Sequence, residues 1–146
     1  MCAEQEKQFV THDGTVLFYR YWPKVGDGAA DRAVVLFHRG HEHSGRLQHV
    51  VDELRLDNFA MFAWDARGHG RSPGARGDSP SFATSVKDVD AFIRHIATEF
   101  GIAPDNVAVI GLMPGFVGTE RMAIELGEYG FDASKALPVE NPGRVC

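Results

Sequence analysis

The pattern of apolar and polar residues predicts a chain that begins with a β-hairpin and continues as an α/β fold. Residues 7–22, KQFVTHDGTVLFYRYW, alternate before the Asp13-Gly14 turn and are rich in β-branched and aromatic residues after it, which is typical of two antiparallel strands. Residues 33–37, AVVLF, form a continuous apolar run of the length expected for a strand buried on both faces. We therefore expect a parallel sheet from residue 33 onward.

Two helical patterns alternate with two further strands. Ser44 is placed to cap a helix that ends near Asp57, and its apolar positions are Leu47, Val50, Val51 and Leu54. Residues 59–64 predict the next strand. The helix after the glycine-rich loop has one apolar stripe, made of Val86, Val89, Phe92, Ile93, Ile96 and Phe100. Residues 106–111 predict a third buried strand, so the order from residue 33 is β-α-β-α-β.

Length and composition favour one globular domain. The chain has 146 residues, of which 44% are hydrophobic and 24% charged, and these values disfavour a disordered or fibrous class. The net charge of -5 gives no footprint for nucleic acid. No window is long and apolar enough to span a membrane, and the first residues lack the features of a leader. We therefore expect a cytoplasmic protein with free thiols at Cys2 and Cys146.

Candidate chemistry lies in the two turns that follow the first two buried strands, residues 38–46 and 65–74. Open α/β sheets place their sites at the carboxyl ends of such strands. Residues 70–74 read G-x-S-x-G around Ser72, with His69 and Asp65 upstream. A serine nucleophile needs a base and an acid that orients the base, so Ser72, His69 and Asp65 form one candidate catalytic set. The alternative is that Ser72 is a hydrogen-bonding residue of the loop.

The two turns resemble the α/β-hydrolase family, and within it the monoacylglycerol-lipase-like serine hydrolases. FHRGHEHSGR is similar to that group's H-G-x-x-x-H-S-x-R stretch, and WDARGHGRSPG is similar to its D-x-x-G-H-G-x-S-x-G stretch. The resemblance covers about residues 8–111. It implies that backbone N–H groups around His38, Arg39 and Gly40 polarise the substrate carbonyl. Arg39 replaces the family's usual glycine, and we expect its side chain to crowd the turn.

The nucleophile elbow of that family is altered in this chain. GLMPG at 111–115 has Met113 in the serine position, and no histidine follows Gly115. The usual triad cannot be assembled, and we expect a truncated hydrolase sheet in which the strand ending at Ile110 is an edge. That edge predicts a homodimer, or a cover provided by the tail. A helix that Thr119 caps is predicted in the tail.

The tail has a second resemblance. PGFVGTERM at 114–122 is similar to the P-G-x-V-x-T-x-M stretch of short-chain dehydrogenases, whose threonine contacts the nicotinamide end of the cofactor. Tyr129 and Lys135 are too far apart for the Y-x-x-x-K pair that accompanies it, so we expect no cofactor. We interpret the chain as chimeric, with a hydrolase-like core at 1–111 and a helical or irregular tail at 112–146.

Three functions follow from these patterns. The first is a minimal carboxylic ester hydrolase that acts on short-chain esters, and the second is an inactive scaffold that self-associates. The third is nicotinamide binding by the tail. His38, His41 and His43 lack the carboxylate or cysteine partners of a metal site, so we expect no metal. Asp65 and Arg67 are expected to pair and hold the loop that follows them.

Overall fold

The computed structural model describes residues 3–78 and 80–111, which form one mixed sheet with a helix on each face. Its elements are β1 (Gln5–Val10), β2 (Val16–Trp22), β3 (Ala33–Phe37), α1 (Gln48–Leu54), β4 (Ala60–Trp64), α2 (Phe82–Phe100) and β5 (Val107–Gly111). The strand order is β1-β2-β4-β3-β5. β2 pairs antiparallel with β1 and β4, whereas β3 pairs parallel with β4 and β5. The α/β class, the N-terminal hairpin and the parallel pairing from residue 33 are confirmed.

The hairpin turn is held by its own side chains. Asp13 Oδ1 accepts hydrogen bonds from Thr11 Oγ1 at 2.7 Å and from the Thr15 amide at 3.1 Å. The backbone amide of Thr11 also donates to the Thr15 carbonyl at 2.9 Å. Gly14 has a φ of 83°, a conformation that glycine adopts without steric cost. The Asp13-Gly14 signal in the sequence therefore marks a real turn.

The core has two parts because consecutive residues of a strand face opposite sides of the sheet. Ala33 and Val35 of β3 join the cluster that contains Phe92 and Ile96 of α2. Val34 and Leu36 join the other cluster, against which residues 47–51 of the α1 region pack. The helices therefore cover opposite faces, and β3 is buried on both sides as expected.

The first predicted helix begins differently from the expectation. A short 3-10 turn, Ser44–Arg46, precedes α1, and the ring of His43 caps it by accepting from the Gly45 amide at 3.1 Å. The predicted cap by Ser44 was wrong. The Ser44 hydroxyl is buried and accepts from Arg20 Nε at 3.2 Å, so it is engaged with β2 and does not cap a helix.

The second helix follows the predicted stripe and adds one unexpected residue. Ser81 caps α2 by accepting from the Thr84 amide at 3.1 Å, and Gly101 ends it at a φ of 66°. Phe92 and Ile96 are buried, as expected, and so is Asp88. A buried carboxylate on the packed face of a helix requires a partner, which the loop after β4 supplies.

Among the described strands, β5 is at one edge of the sheet and β1 at the other. The side chains at positions 107–110 of β5 are only half-buried, so this strand is less buried than the sequence predicts, and the expected sheet edge stays a prediction. The altered elbow at Met113, the PGFVGTERM segment, the helix predicted after Thr119 and the two terminal cysteines lie outside the described residues.

Candidate active site

The carboxyl ends of β3 and β4 bring together the two turns that the sequence selected. His38 follows β3 and Asp65 follows β4, and both side chains are buried. The two strands pair in parallel, with Leu36 opposite Ala63, so the residues after them lie at the same edge of the sheet. The predicted location of the site is the one where α/β folds place their chemistry.

His38 joins the two turns through both ring nitrogens. Nδ1 is 2.8 Å from the carbonyl oxygen of Arg39, and Nε2 is 3.0 Å from the amide nitrogen of Ala66. A carbonyl oxygen can only accept and an amide can only donate, so His38 is neutral with its proton on Nδ1. Burial lowers the pKa of His38, against the opposing effect of its bond to the Arg39 carbonyl, and so favours this neutral form.

Asp65 holds the same two turns through its carboxylate. Oδ1 accepts from the Ser44 amide at 2.6 Å, and Oδ2 accepts from the Arg71 amide at 2.9 Å. The residue is 1% exposed, and charge-assisted bonds to backbone N–H groups compensate for the lost solvent. The expected pair between Asp65 and Arg67 was wrong, because Arg67 binds other carboxylates.

Ser72 is engaged by backbone groups on two strands. Its Oγ donates to the Asp65 carbonyl at 2.5 Å and accepts from the Phe18 amide at 2.9 Å. The Phe18 carbonyl in turn accepts from the Asp65 amide at 2.8 Å. The hydroxyl therefore bridges the Phe18 amide of β2 and the Asp65 carbonyl just after the end of β4.

His69 lies beside His38, with their ring centroids 5.0 Å apart. Its Nδ1 is 2.9 Å from the carbonyl oxygen of Arg67, so Nδ1 is the protonated nitrogen. Within residues 3–78 and 80–111, no hydrogen bond joins the His69 ring to the side chain of Ser72 or Asp65. The structure therefore brings the three predicted residues into one loop, but their side chains bind backbone groups in this state.

The Arg39 side chain is partly exposed and binds within its own turn. It is 45% exposed and pairs with Glu42, Nη2 to Oε1 at 2.9 Å. Gly40 is exposed and open, since a Cβ built there meets no atom within 4 Å. The left-handed backbone conformation of this turn falls on His41, whose φ is 65°. Position 39 does not have the left-handed conformation that glycine favours, so arginine fits there without backbone strain, and crowding of the turn by its side chain stays a prediction.

Arg67, Asp13 and Asp88 form a cluster that the sequence did not predict, and we call it the Arg67 cluster. Arg67 Nε and Nη2 bind the two oxygens of Asp88 at 2.6 and 2.8 Å. Nη1 and Nη2 also bind the two oxygens of Asp13, both at 2.8 Å. The hydroxyls of Thr15 and Thr11 accept from the same guanidinium at 3.0 and 3.1 Å. One arginine thus joins the loop after β4 to the hairpin turn and to α2.

A signal for this cluster is present in the sequence. Asp88 precedes Phe92 and Ile96 by four and eight residues, so all three share one helical face. An acidic residue in an apolar stripe predicts a buried cationic partner. The partner itself could not be chosen from the sequence, because Arg67 and Asp13 come from two other elements.

In the part of the chain that the structure describes, no group of three or more histidine, cysteine, aspartate or glutamate side chains could hold a metal ion. No helix in residues 3–78 and 80–111 is long and apolar enough to cross a membrane.

A hairpin paired to a parallel sheet, with loops that converge at the carboxyl ends of β3 and β4, agrees with the α/β-hydrolase fold. The chain belongs to the family described as serine aminopeptidase, S33, whose model matches residues 28–115. That match contains both strand-end turns.

Relatives within this class include lipases. The chain is 35% identical to mouse monoglyceride lipase over 136 residues, which cover 91% of this chain and 43% of the lipase. It is 55% identical to the uncharacterized protein YnbC of Escherichia coli over 112 residues, which cover 77% of this chain and 19% of that protein. The chain therefore spans less than half the length of these relatives.

Solved structures agree on the fold. A structure titled "Lipase (Open form)" superposes with a TM-score of 0.58 at 26% identity and covers 75% of this chain and 36% of the lipase. An esterase from Pyrococcus furiosus superposes with a TM-score of 0.61 at 18% identity and covers 75% of this chain and 42% of the esterase. At the lower identity the likeness concerns the fold alone.

Proposed function

We propose that this chain is a carboxylic ester hydrolase that acts on small esters with short acyl groups. The observation that carries the proposal is the family match across residues 28–115, together with the likeness to mouse monoglyceride lipase. The short-chain preference follows from the open turn after β3. Arg39 and Gly40 are exposed in the described structure, so a long acyl chain bound there would bury little apolar surface.

The oxyanion is assigned to the same turn. The amide of Gly40 has no hydrogen-bond partner among the described residues. The space next to its Cα is open, because a Cβ placed there would meet no atom within 4 Å. Amides near His38, Arg39 and Gly40 would polarise the ester carbonyl where negative charge develops. This role requires no movement of the buried residues beneath the turn.

Ser72 as nucleophile, His69 as base and Asp65 as orienting acid remain the proposed catalytic set. The structure sets a condition for it. Ser72 Oγ must leave the Asp65 carbonyl and the Phe18 amide before His69 can take its proton. Breaking two buried hydrogen bonds costs about 1 to 3 kcal/mol for each group left unpaired, so the reaction would be slow.

Labelling with a fluorophosphonate probe and mapping of the modified residue test this proposal. The expected result is a label on Ser72 that is absent in Ser72→Ala and retained in Ser85→Ala, a control in α2. Circular dichroism of both variants separates loss of label from loss of fold. Hydrolysis of nitrophenyl acetate should exceed that of nitrophenyl octanoate. An unlabelled wild-type chain without turnover would exclude ester hydrolysis by this chain.

The second candidate is an inactive scaffold that self-associates, and a specific observation favours it. The Ser72 hydroxyl donates to one backbone group and accepts from another, which is the arrangement of a structural serine. Self-association would pair the β5 edge with a second copy. Light scattering tests it, because a dimer without serine-dependent turnover supports the scaffold, and a monomer with turnover contradicts it.

The dehydrogenase-like tail and the cytoplasmic location remain predictions. The alignment with mouse monoglyceride lipase covers 91% of this chain, so it continues into residues 112–146 and favours a hydrolase origin for part of them. Titration of NADH or NADPH against the fluorescence of Trp22 and Trp64 tests cofactor binding. No change at millimolar cofactor would end that candidate.

A further inference from the structure

Two imidazoles lie side by side at the carboxyl end of the sheet, and they differ in one respect. His38 uses both ring nitrogens, because Nδ1 donates to the Arg39 carbonyl and Nε2 accepts from the Ala66 amide. His69 uses Nδ1 in the same way, toward the Arg67 carbonyl at 2.9 Å. No partner for His69 Nε2 is found among residues 3–78 and 80–111. Of the two rings, His69 is the one with an acceptor available to a ligand.

The bond that fixes this tautomer depends on where the Arg67 carbonyl lies. Arg67 is anchored by its side chain, because its guanidinium binds Asp88 on α2 and Asp13 in the hairpin turn with four hydrogen bonds. Its side chain is 10% exposed. The same residue therefore carries both an anchored side chain and the backbone acceptor for His69.

We propose that Arg67 is a positioning residue for His69: the Arg67 cluster fixes the carbonyl that holds His69 as the Nδ1–H tautomer, and leaves Nε2 as the ring's proton acceptor. The hydrogen bond that the other nitrogen makes decides the tautomer of a histidine. A hydrogen bond of ordinary net strength biases the tautomer ratio about 2- to 12-fold.

In the proposed ester hydrolase, Nε2 is where His69 takes the proton of a hydroxyl group. Only that role rests on the proposed function. The tautomer is a property of the folded chain, and it can be read without any turnover. Failure of ester hydrolysis and failure of this inference therefore give different results.

The test is a nitrogen-15 spectrum of the full chain, with labelled histidine, at a pH where histidine is neutral. In the wild type, we expect His69 to show a protonated Nδ1 and an unprotonated Nε2. In Arg67→Lys, which cannot bind two carboxylates in fork geometry, the His69 signals should move toward the Nε2–H tautomer. His49, exposed on α1, is the internal reference in the same spectrum, and its signals should stay.

Arg94→Lys is the matched control. Arg94 pairs with Asp90 on the exposed face of α2, so its replacement should leave both histidines unchanged. If Arg67→Lys does not fold, Asp13→Asn takes its place, because it keeps the Arg67 bonds to Asp88 and should move the His69 signals in the same direction by less.

Three results would overturn the inference. The first is a wild-type His69 that is mostly protonated on Nε2. The second is an Arg67→Lys variant with lower stability and unchanged His69 signals, which would make Arg67 a purely structural residue. The third is an unchanged His69 in Asp13→Asn when Arg67→Lys is unfolded.

Discussion

Arg67 and Asp88 form a pair in which both carboxylate oxygens are bound, Nε to Oδ2 at 2.6 Å and Nη2 to Oδ1 at 2.8 Å. Their side chains are 10% and 3% exposed. Bonds of this fork geometry are among the stronger hydrogen bonds in proteins. Because Asp88 lies on the packed face of α2, its charge is compatible with the core only while Arg67 remains bound.

Asp88→Ala should therefore destabilise the fold strongly. The substitution leaves the Arg67 guanidinium bound to Asp13 alone, and a lost hydrogen bond between charged groups costs about 1.5 to 3 kcal/mol. Urea denaturation measures the change. Asp90→Ala is the control two residues away, since Asp90 pairs with Arg94 in solvent and its loss should cost below about 1 kcal/mol. Equal effects of the two substitutions would contradict the role of the Arg67 cluster.

Stability should fall in acid, in part because of Asp13. The hydrogen bonds from Arg67, and then those from Thr11 and Thr15, hold the pKa of Asp13 well below its usual range. A carboxyl whose folded pKa is lowered stabilises the fold above its unfolded pKa, about 3.9, and loses that effect as the pH falls. Asp13→Asn should therefore make the denaturation midpoint less dependent on pH below about 4. Asp27→Asn, in the exposed loop after β2, should leave that dependence unchanged.

His38 should make the fold sensitive to milder acid. Burial lowers its pKa, so the unfolded chain binds a proton first, and stability falls as the pH drops below about 6.5. A proton on Nε2 would also remove the acceptor of the Ala66 amide and place two donors against each other. His38→Gln should cost about 1 to 3 kcal/mol at pH 7.5 and flatten the profile from pH 7.5 to 5.5. The exposed His49→Gln should do neither.

Gly70 and Gly77 differ in whether a side chain would also collide with a neighbour, while both have the backbone conformation that favours glycine. Both have a positive φ, 49° and 74°. A Cβ on Gly70 would lie 2.2 Å from Asp65 Oδ2, whereas one on Gly77 meets nothing within 4 Å. Gly77→Ala should cost about 1 to 2 kcal/mol from its conformation, and Gly70→Ala about 1 to 3 kcal/mol more from crowding. Thermal denaturation compares the two, and equal losses would show that the Asp65 carboxylate yields easily.

Local patterns predicted the elements of this fold and left their arrangement open. The apolar runs of β3 and β4 and the stripe of α2 are written in consecutive residues, so periodicity reveals them. The position of β4 between β2 and β3 depends on pairing across the whole sheet, such as Tyr19 with Trp64. No window of sequence contains both partners.

The sequence predicted that the two turns of the candidate site meet, but not the hydrogen bonds within them. The turns after β3 and β4 meet as expected, since parallel strands end at one edge. Proximity along the chain suggested bonds between Asp65 and Arg67 and among Ser72, His69 and Asp65. The structure shows instead that these side chains bind backbone groups or residues of distant elements. Short polar side chains in a tight loop compete for the nearest amides and carbonyls, and that competition depends on coordinates.

The strand order also carries a consequence for synthesis on the ribosome. β2 can pair on its second side only after β4 has been synthesised, because Tyr19 pairs with Trp64. The Phe18 amide likewise donates to the Ser72 hydroxyl, which follows β4. At ordinary rates of translation, roughly 45 residues take about 2 to 9 s to appear. The hairpin must remain unpaired on that side for this interval, and Tyr19, which packs on Phe92 of α2 in the finished fold, stays open to solvent until α2 also emerges. The nascent chain is therefore vulnerable to chaperone binding or misassembly over this interval.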